Sequence, residues 1–246
     1  MRNLKVCIAY NGTNYHGFQW QNGVVGIQNV VEEKMSALLK QQVSINGCSR
    51  TDTGVHAKEF WFNSHVDSKI PCDGFVKGMN VILPPDIAII SCEDADEGFH
   101  ARFDAKGKEY LYRVNNAKQR DVFSQNLALH YPYKLDDEYL AKACKLFVGT
   151  HDFAAFCKAE AKEHLKSTVR TVHDCRVERD GDFVNFYVSG DGFLHNMVRI
   201  IIGTLIFMNE GKRTERDVLE AFETGDREKA GKTLAPCGLY LNKVYY

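Results

Sequence analysis

The chain has 246 residues, 44% of them hydrophobic and 26% charged, which suits a globular protein with a substantial core. Its longest apolar run, 200–208, is broken by Gly203 and Thr204 and falls short of the roughly 18 residues of a membrane span, while a net charge of −1 argues against a uniformly basic nucleic-acid binder. The eight cysteines form no Cys-x-x-Cys pair, so the usual zinc spacing is absent, and they are scattered as small hydrophobes in a reducing compartment would be. The first five residues carry no signal-peptide core, and a cytoplasmic protein is expected.

Leu4, Val6, Ile8 and Tyr10 alternate with Lys5, Cys7 and Ala9, predicting a first strand. A loop over 13–26 follows and holds Tyr15-His16-Gly17-Phe18-Gln19-Trp20-Gln21. Aromatics interleaved with amides suit stacking on bases, but Phe18 and Trp20 could equally be loop residues tucked into the core, and both readings stay open. Ile27, Val30, Val31, Met35, Leu38 and Leu39 repeat at helical spacing and predict a core-facing helix. Strands are expected over 43–46 and 55–66, a helix over 73–82 ended by Pro84-Pro85, and another strand over 86–91.

Between the strands at 43–46 and 55–66 lies Gly-Cys-Ser-Arg-Thr-Asp-Thr-Gly-Val-His-Ala-Lys, 47–58. A polar loop held by two strands is a rigid mount for a reacting group, here the carboxylate of Asp52 flanked by Arg50, Thr51 and Thr53. Asp-Thr-Gly alone is most often an Asx turn. It also marks aspartic-protease half-sites, but those follow a hydrophobic strand and need a second carboxylate from an equivalent half, and no second Asp-Thr-Gly occurs.

Lys106 to Asn115 predicts a strand with Tyr110, Tyr112 and Val114 on one face, a stripe that is more often core than a ligand platform. Arg102, Lys106, Lys108 and Arg113 concentrate positive charge here, which permits a basic face on a near-neutral chain. A second half begins near Phe123, giving domains 1–120 and 121–246. A helix runs from Leu135-Asp136-Asp137 through Phe147, and His151-Asp152 reads as local turn bonding rather than catalysis. The charged stretch 158–166 predicts a solvated loop. Two alternating runs, 169–179 and 183–189, are joined by Asp180-Gly181 as a hairpin. Residues 193–205 then read as a helix hydrophobic nearly all round and therefore buried, in which Arg199 needs a carboxylate partner or a route to solvent; Asp52 is the candidate partner. Thr214 caps a last amphipathic helix, and 233–241 turns into a final strand.

Five segments, in order, carry a resemblance: the aromatic-Gln loop, the Asp52 loop, Phe-His-Ala-Arg-Phe at 99–103 with Tyr110 after it, Gly-Phe-Leu-x-x-Met-Val-Arg at 192–199, and Ala-Pro-x-Gly-Leu at 235–239. Together they resemble the tRNA pseudouridine synthase A family. The resemblance implies an α+β fold in which two similar halves join into a mixed, largely antiparallel sheet flanked by helices, with a central active-site cleft. It implies a homodimer that isomerises uridine to pseudouridine in the anticodon stem-loop of tRNA, at positions 38–40.

By the same resemblance Asp52 is the nucleophile, Arg50 helps to extrude the target nucleotide, and Tyr110 stacks on the flipped uracil, where its hydroxyl can assist proton removal at C5. Leu239 is an apolar wall. Arg199 is assigned the task of favouring the ionised nucleophile, as a neighbouring cation does. Substrate and product are isomers, so no cofactor or metal is expected. The stretch 158–166 differs from the shorter arginine-bearing loop of the family. A plain RNA-binding module, with the Asp52 loop as a structural turn, is the alternative from another class.

Overall fold

The computed structural model describes residues 1–158 and 166–246, so most of the charged stretch 158–166 lies outside the described residues. The chain gathers into two compact units, Met1–Lys106 with Tyr240–Tyr246, and Gly107–Leu239, where the sequence predicts a division at 120/121. Strands and helices mix in both, and most strand pairs are antiparallel.

In the first unit β1 (Arg2–Tyr10) lies between β3 (His56–Val66) and β4 (Ile87–Ala95), antiparallel to both. The last strand, β10 (Leu239–Tyr245), returns parallel to β3, with Tyr240 opposite His56. Two helices, α1 (Ile27–Leu39) and α2 (Cys72–Ile82), pack together where Gly78 lets the backbone approach Leu38. Their apolar stripes supply Ile27, Val31, Met35, Phe75 and Met79, which are buried along with Val6, Ile8, Phe60 and Phe62 of the strands.

The strand expected over 43–46 reduces to β2, Asn46–Gly47. Val43 and Ile45 are buried as the alternation demands, but their amides are taken by α1 side chains. The Val43 N–H donates to Ser36 Oγ at 3.1 Å, and the Ile45 N–H to Glu32 Oε1 at 3.0 Å. Side-chain acceptors satisfied the backbone before a ladder could.

In the second unit β5 (Gly107–Asn115), β9 (Phe183–Gly190), β8 (Val169–Asp180) and β7 (Gly149–Asp152) pair antiparallel in that order, and β6 (Leu129–His130) runs parallel to β5. The β8–β9 hairpin turns at Gly181, φ 56°. Among the described residues of this unit the α-helices are α3 (Asp137–Cys144), α4 (Met197–Asn209) and α5 (Glu215–Thr224). As expected from its composition, α4 is buried on nearly every side. It starts four residues later than the reading from Phe193, because Asn196 adopts a left-handed conformation (φ 65°) that a helix interior does not accept. His151 and Asp152 serve structure: His151 stacks on Phe222 with ring centroids 4.4 Å apart, and Asp152 accepts the Ala154 N–H at 2.9 Å.

Candidate active site

The Asp52 loop is fixed through its backbone. Thr51 is buried, and its hydroxyl bonds the Tyr10 hydroxyl at 2.8 Å, while its carbonyl accepts the Phe18 N–H at 3.2 Å. The Asp52 carbonyl accepts the Val55 N–H at 3.1 Å, closing a turn in which Gly54 takes φ 76°. The Gly54 N–H donates to the Tyr15 carbonyl at 3.3 Å. Preceding the loop, buried Cys48 donates its N–H to the Trp61 carbonyl at 2.8 Å.

Two glycines let the 13–26 loop lie on this turn. A Cβ on Gly17, whose φ is 79°, would overlap the Thr51 carbonyl oxygen, and one on Gly12 would overlap that of Val55. The Gly12 N–H donates to His56 Nδ1 at 3.0 Å, so Nδ1 carries a lone pair. The open choice about the aromatics resolves residue by residue. Phe18 is core, stacked on Phe60 at 4.1 Å, whereas Trp20 is half exposed beside the exposed amides Gln19 and Gln21. The clamp leaves Arg50 exposed and Asp52 half-buried on a backbone that has little freedom to move.

The other predicted residues, Tyr110, Arg199 and Leu239, belong to the second unit. Tyr110 on β5 is buried opposite Val188, and its ring meets Phe193 edge-on at 5.0 Å. Two residues along, the Tyr112 hydroxyl donates to the Ala235 carbonyl at 2.7 Å, and burial pushes that phenol far above its ordinary range. Gly238 is pressed on the Tyr112 ring, where a side chain would lie 2.9 Å from it; the next residue is buried Leu239.

Arg199 sits in the first turn of α4. Its Nε donates to the Leu234 carbonyl at 2.7 Å and its Nη1 to Asn196 Oδ1 at 2.7 Å, so two bonds set the plane of the guanidinium. These supports carry no signal in the sequence. Asn196, Leu234 and Phe193 stand beside predicted residues, but no spacing rule says which carbonyl or ring a side chain will meet. Gly17 had a signal, an isolated glycine in an aromatic loop, though not the partner it makes room for.

Among the described residues no three His, Cys, Asp or Glu side chains come together as a metal site, and no helix is long and apolar enough to cross a membrane. What the arrangement offers is a carboxylate on a clamped loop in one unit, and in the other an oriented guanidinium, a tyrosine ring and an apolar wall.

A family model described as tRNA pseudouridine synthase matches residues 6–104 and 143–246, stretches that include Arg50, Asp52, Arg199 and Leu239 but not Tyr110. The chain is 42% identical over 246 residues to tRNA pseudouridine synthase A of Thermoanaerobacter sp. (strain X514), with all of both chains covered. It is 43% identical over 248 residues to tRNA pseudouridine synthase A 2 of Clostridium perfringens (strain 13 / Type A), again over the whole of both. A tRNA pseudouridine synthase A of Geobacillus sp. (strain WCH70) is 42% identical over 246 residues, covering all of this chain and 98% of that one.

Proposed function

On the premise that this chain belongs to the tRNA pseudouridine synthase family, and is an isomerase acting on uridine in tRNA, we propose that Asp52 is its nucleophile and the anticodon stem-loop its target. The observation that carries the assignment is the clamp on the Asp52 loop. Bonds from Tyr10, Tyr15, Phe18 and Val55 fix the backbone around one half-buried carboxylate, as a group that must meet a reacting carbon requires.

In the reaction the N1–C1′ bond breaks, the uracil turns, C5 bonds to C1′, the C5 proton leaves and N1 gains a proton. Atoms and electrons balance within the nucleotide, so the chemistry calls for no donor and no redox partner. The uridine must leave its stack, at an expense of a few kcal/mol. Exposed Arg50, two residues from Asp52, suits the task of extruding the nucleotide and occupying its place. Tyr110 is the face for the uracil and its hydroxyl a route for the C5 proton. Leu239 is the apolar wall, and Arg199, oriented by Leu234 and Asn196, is the cation that supports the nucleophile. The family resemblance further supports a homodimer working in the cytoplasm.

Mapping tests the target. Unmodified tRNA treated with the enzyme is derivatised at pseudouridine with a carbodiimide and read by primer extension. Stops confined to positions 38–40 are expected; stops only in another arm would overturn the anticodon assignment.

A further inference from the structure

Beyond the reacting uridine, the second unit contains a cavity of about 710 Å³ that none of the roles above uses. It is framed by β5, β6 and the segment between them, with Asn115, Lys118, Arg120, Asn126, His130 and Cys237 in its lining. Its volume lies in the range of about 300–1,000 Å³ typical of small-ligand pockets. The segment lies between the stretches 6–104 and 143–246 that the family model matches, so the family match assigns it nothing.

The frame is built. Buried Asn115 donates from Nδ2 to Ser124 Oγ at 3.1 Å and accepts the Ala117 N–H at 3.0 Å. His130 Nε2 holds the Ala117 carbonyl at 3.0 Å. The one acid in the lining, Asp121, spends a carboxylate oxygen on the Phe123 N–H at 3.0 Å. By contrast Lys118, Gln119, Arg120, Gln125 and Asn126 make no side-chain hydrogen bond or ion pair among the described residues. Beside them Phe123 is 91% exposed and Val122 69%. A fixed scaffold thus presents two cations, three amides and an aromatic face, all without side-chain partners among the described residues.

We infer that this cavity and its Val122-Phe123 tip form a second RNA contact, which takes an unpaired ribonucleotide segment of the substrate tRNA other than the reacting uridine. The inference rests on the tRNA reading above. Lys118 and Arg120 meet phosphates, the amides meet base edges or ribose hydroxyls, and Phe123 stacks on a base. A small anion would leave the amides and the aromatic unused. The contact also explains how a chain of net charge −1 holds a polyanion: local cations without acid partners matter more than the total.

The test compares wild type, Lys118→Ala/Arg120→Ala and Phe123→Ala. Dissociation constants for full-length tRNA are measured by fluorescence anisotropy across a salt series. Turnover is followed separately at saturating tRNA, and oligomeric state by sedimentation. The double variant should bind about tenfold more weakly and lose about 1–2 from the slope of log K against log salt, with kcat unchanged. Phe123→Ala should weaken binding about tenfold with the salt slope kept. Wild-type affinity and slope in both variants would overturn the inference. So would a Phe123→Ala protein that changes only its sedimentation, which would make the tip a surface for a second copy of the chain. Loss of the tRNA reading is separately visible: wild type would bind RNA without turnover, while the ratios of the variants' affinities still decide the contact.

Discussion

The guanidinium of Arg199 is held by the residue three positions before it: Nη1 donates to Asn196 Oδ1 at 2.7 Å, and Asn196 takes the left-handed conformation, φ 65°, that starts α4 at Met197. One residue therefore both sets where the helix begins and aims its cation. Asn196→Gly keeps the backbone geometry and removes the bond. It should lower kcat about tenfold, with tRNA affinity unchanged. Asn196→Asp, which still offers an acceptor, should recover most of the rate. Wild-type kcat in Asn196→Gly would show that the bond does not position Arg199 for catalysis.

Gly17 ties the aromatic loop to the nucleophile loop. In Gly17→Ala the new methyl must displace the Thr51 carbonyl, and with it the neighbouring Asp52. A loss of about 1–3 kcal/mol in stability and at least tenfold in kcat is expected, read from urea unfolding and turnover. Gly23→Ala is the control. Gly23 has φ 80° but nothing within 4 Å of a Cβ, so the variant should bear only the strain of the left-handed backbone, and kcat should hold. Equal kcat losses in both would point to general loosening of the loop rather than to the Thr51 contact.

Thr204 bridges α4 to the chain that returns after α5. Its hydroxyl donates to the Ile200 carbonyl at 2.8 Å and accepts the Gly231 N–H at 2.7 Å, in a fully buried site. Thr204→Val matches the shape and strands that N–H. Urea unfolding should show a loss of about 1–3 kcal/mol. No change in the midpoint would mean that the N–H finds another acceptor.

The N-terminus of α5 carries an acid-sensitive cap. Asp217 accepts from the Thr214 hydroxyl at 2.7 Å and from its N–H at 2.9 Å, and these bonds hold the Asp217 carboxyl below its ordinary value. A carboxylate depressed in the folded state contributes stability that is complete above its unfolded pKa, about 4, and is lost as pH falls through the folded value. Asp217→Asn should therefore flatten the decline of stability below about pH 4. Thr214→Ala should remove about 1 kcal/mol at pH 7. An unchanged acid limb in Asp217→Asn would contradict the cap.

Much of the fold was legible because period and punctuation agreed. The alternation in β3 and β8–β9, the apolar stripe of α1, Pro84-Pro85 after α2 and Thr214 before α5 each predict what forms. The misses have a common cause. Residues 43–46 alternate like a strand, yet Ser36 and Glu32 on α1 take the amides. Residues 193–196 read as helix, yet Asn196 turns left-handed. In the first place two side chains, and in the second one dihedral, all invisible to periodicity, decide the outcome. The same holds at the site. The Asp52 loop stands out as a polar string between strands, but its clamp by Gly17, Tyr10 and Tyr15, and the carbonyl of Leu234 under Arg199, depend on contacts distant in sequence.

The central claim is that Asp52 carries out uridine isomerisation in tRNA. It is tested most directly with tRNA bearing tritium at C5 of uridine, following tritium release by wild type and by Asp52→Asn while tRNA binding is measured on both. Release by the wild type, none by Asp52→Asn and equal binding by the two are the predicted result. Equal release by both proteins would contradict the assignment of the nucleophile. Tight binding by wild type with no release would contradict the reaction itself and leave a protein that only binds RNA.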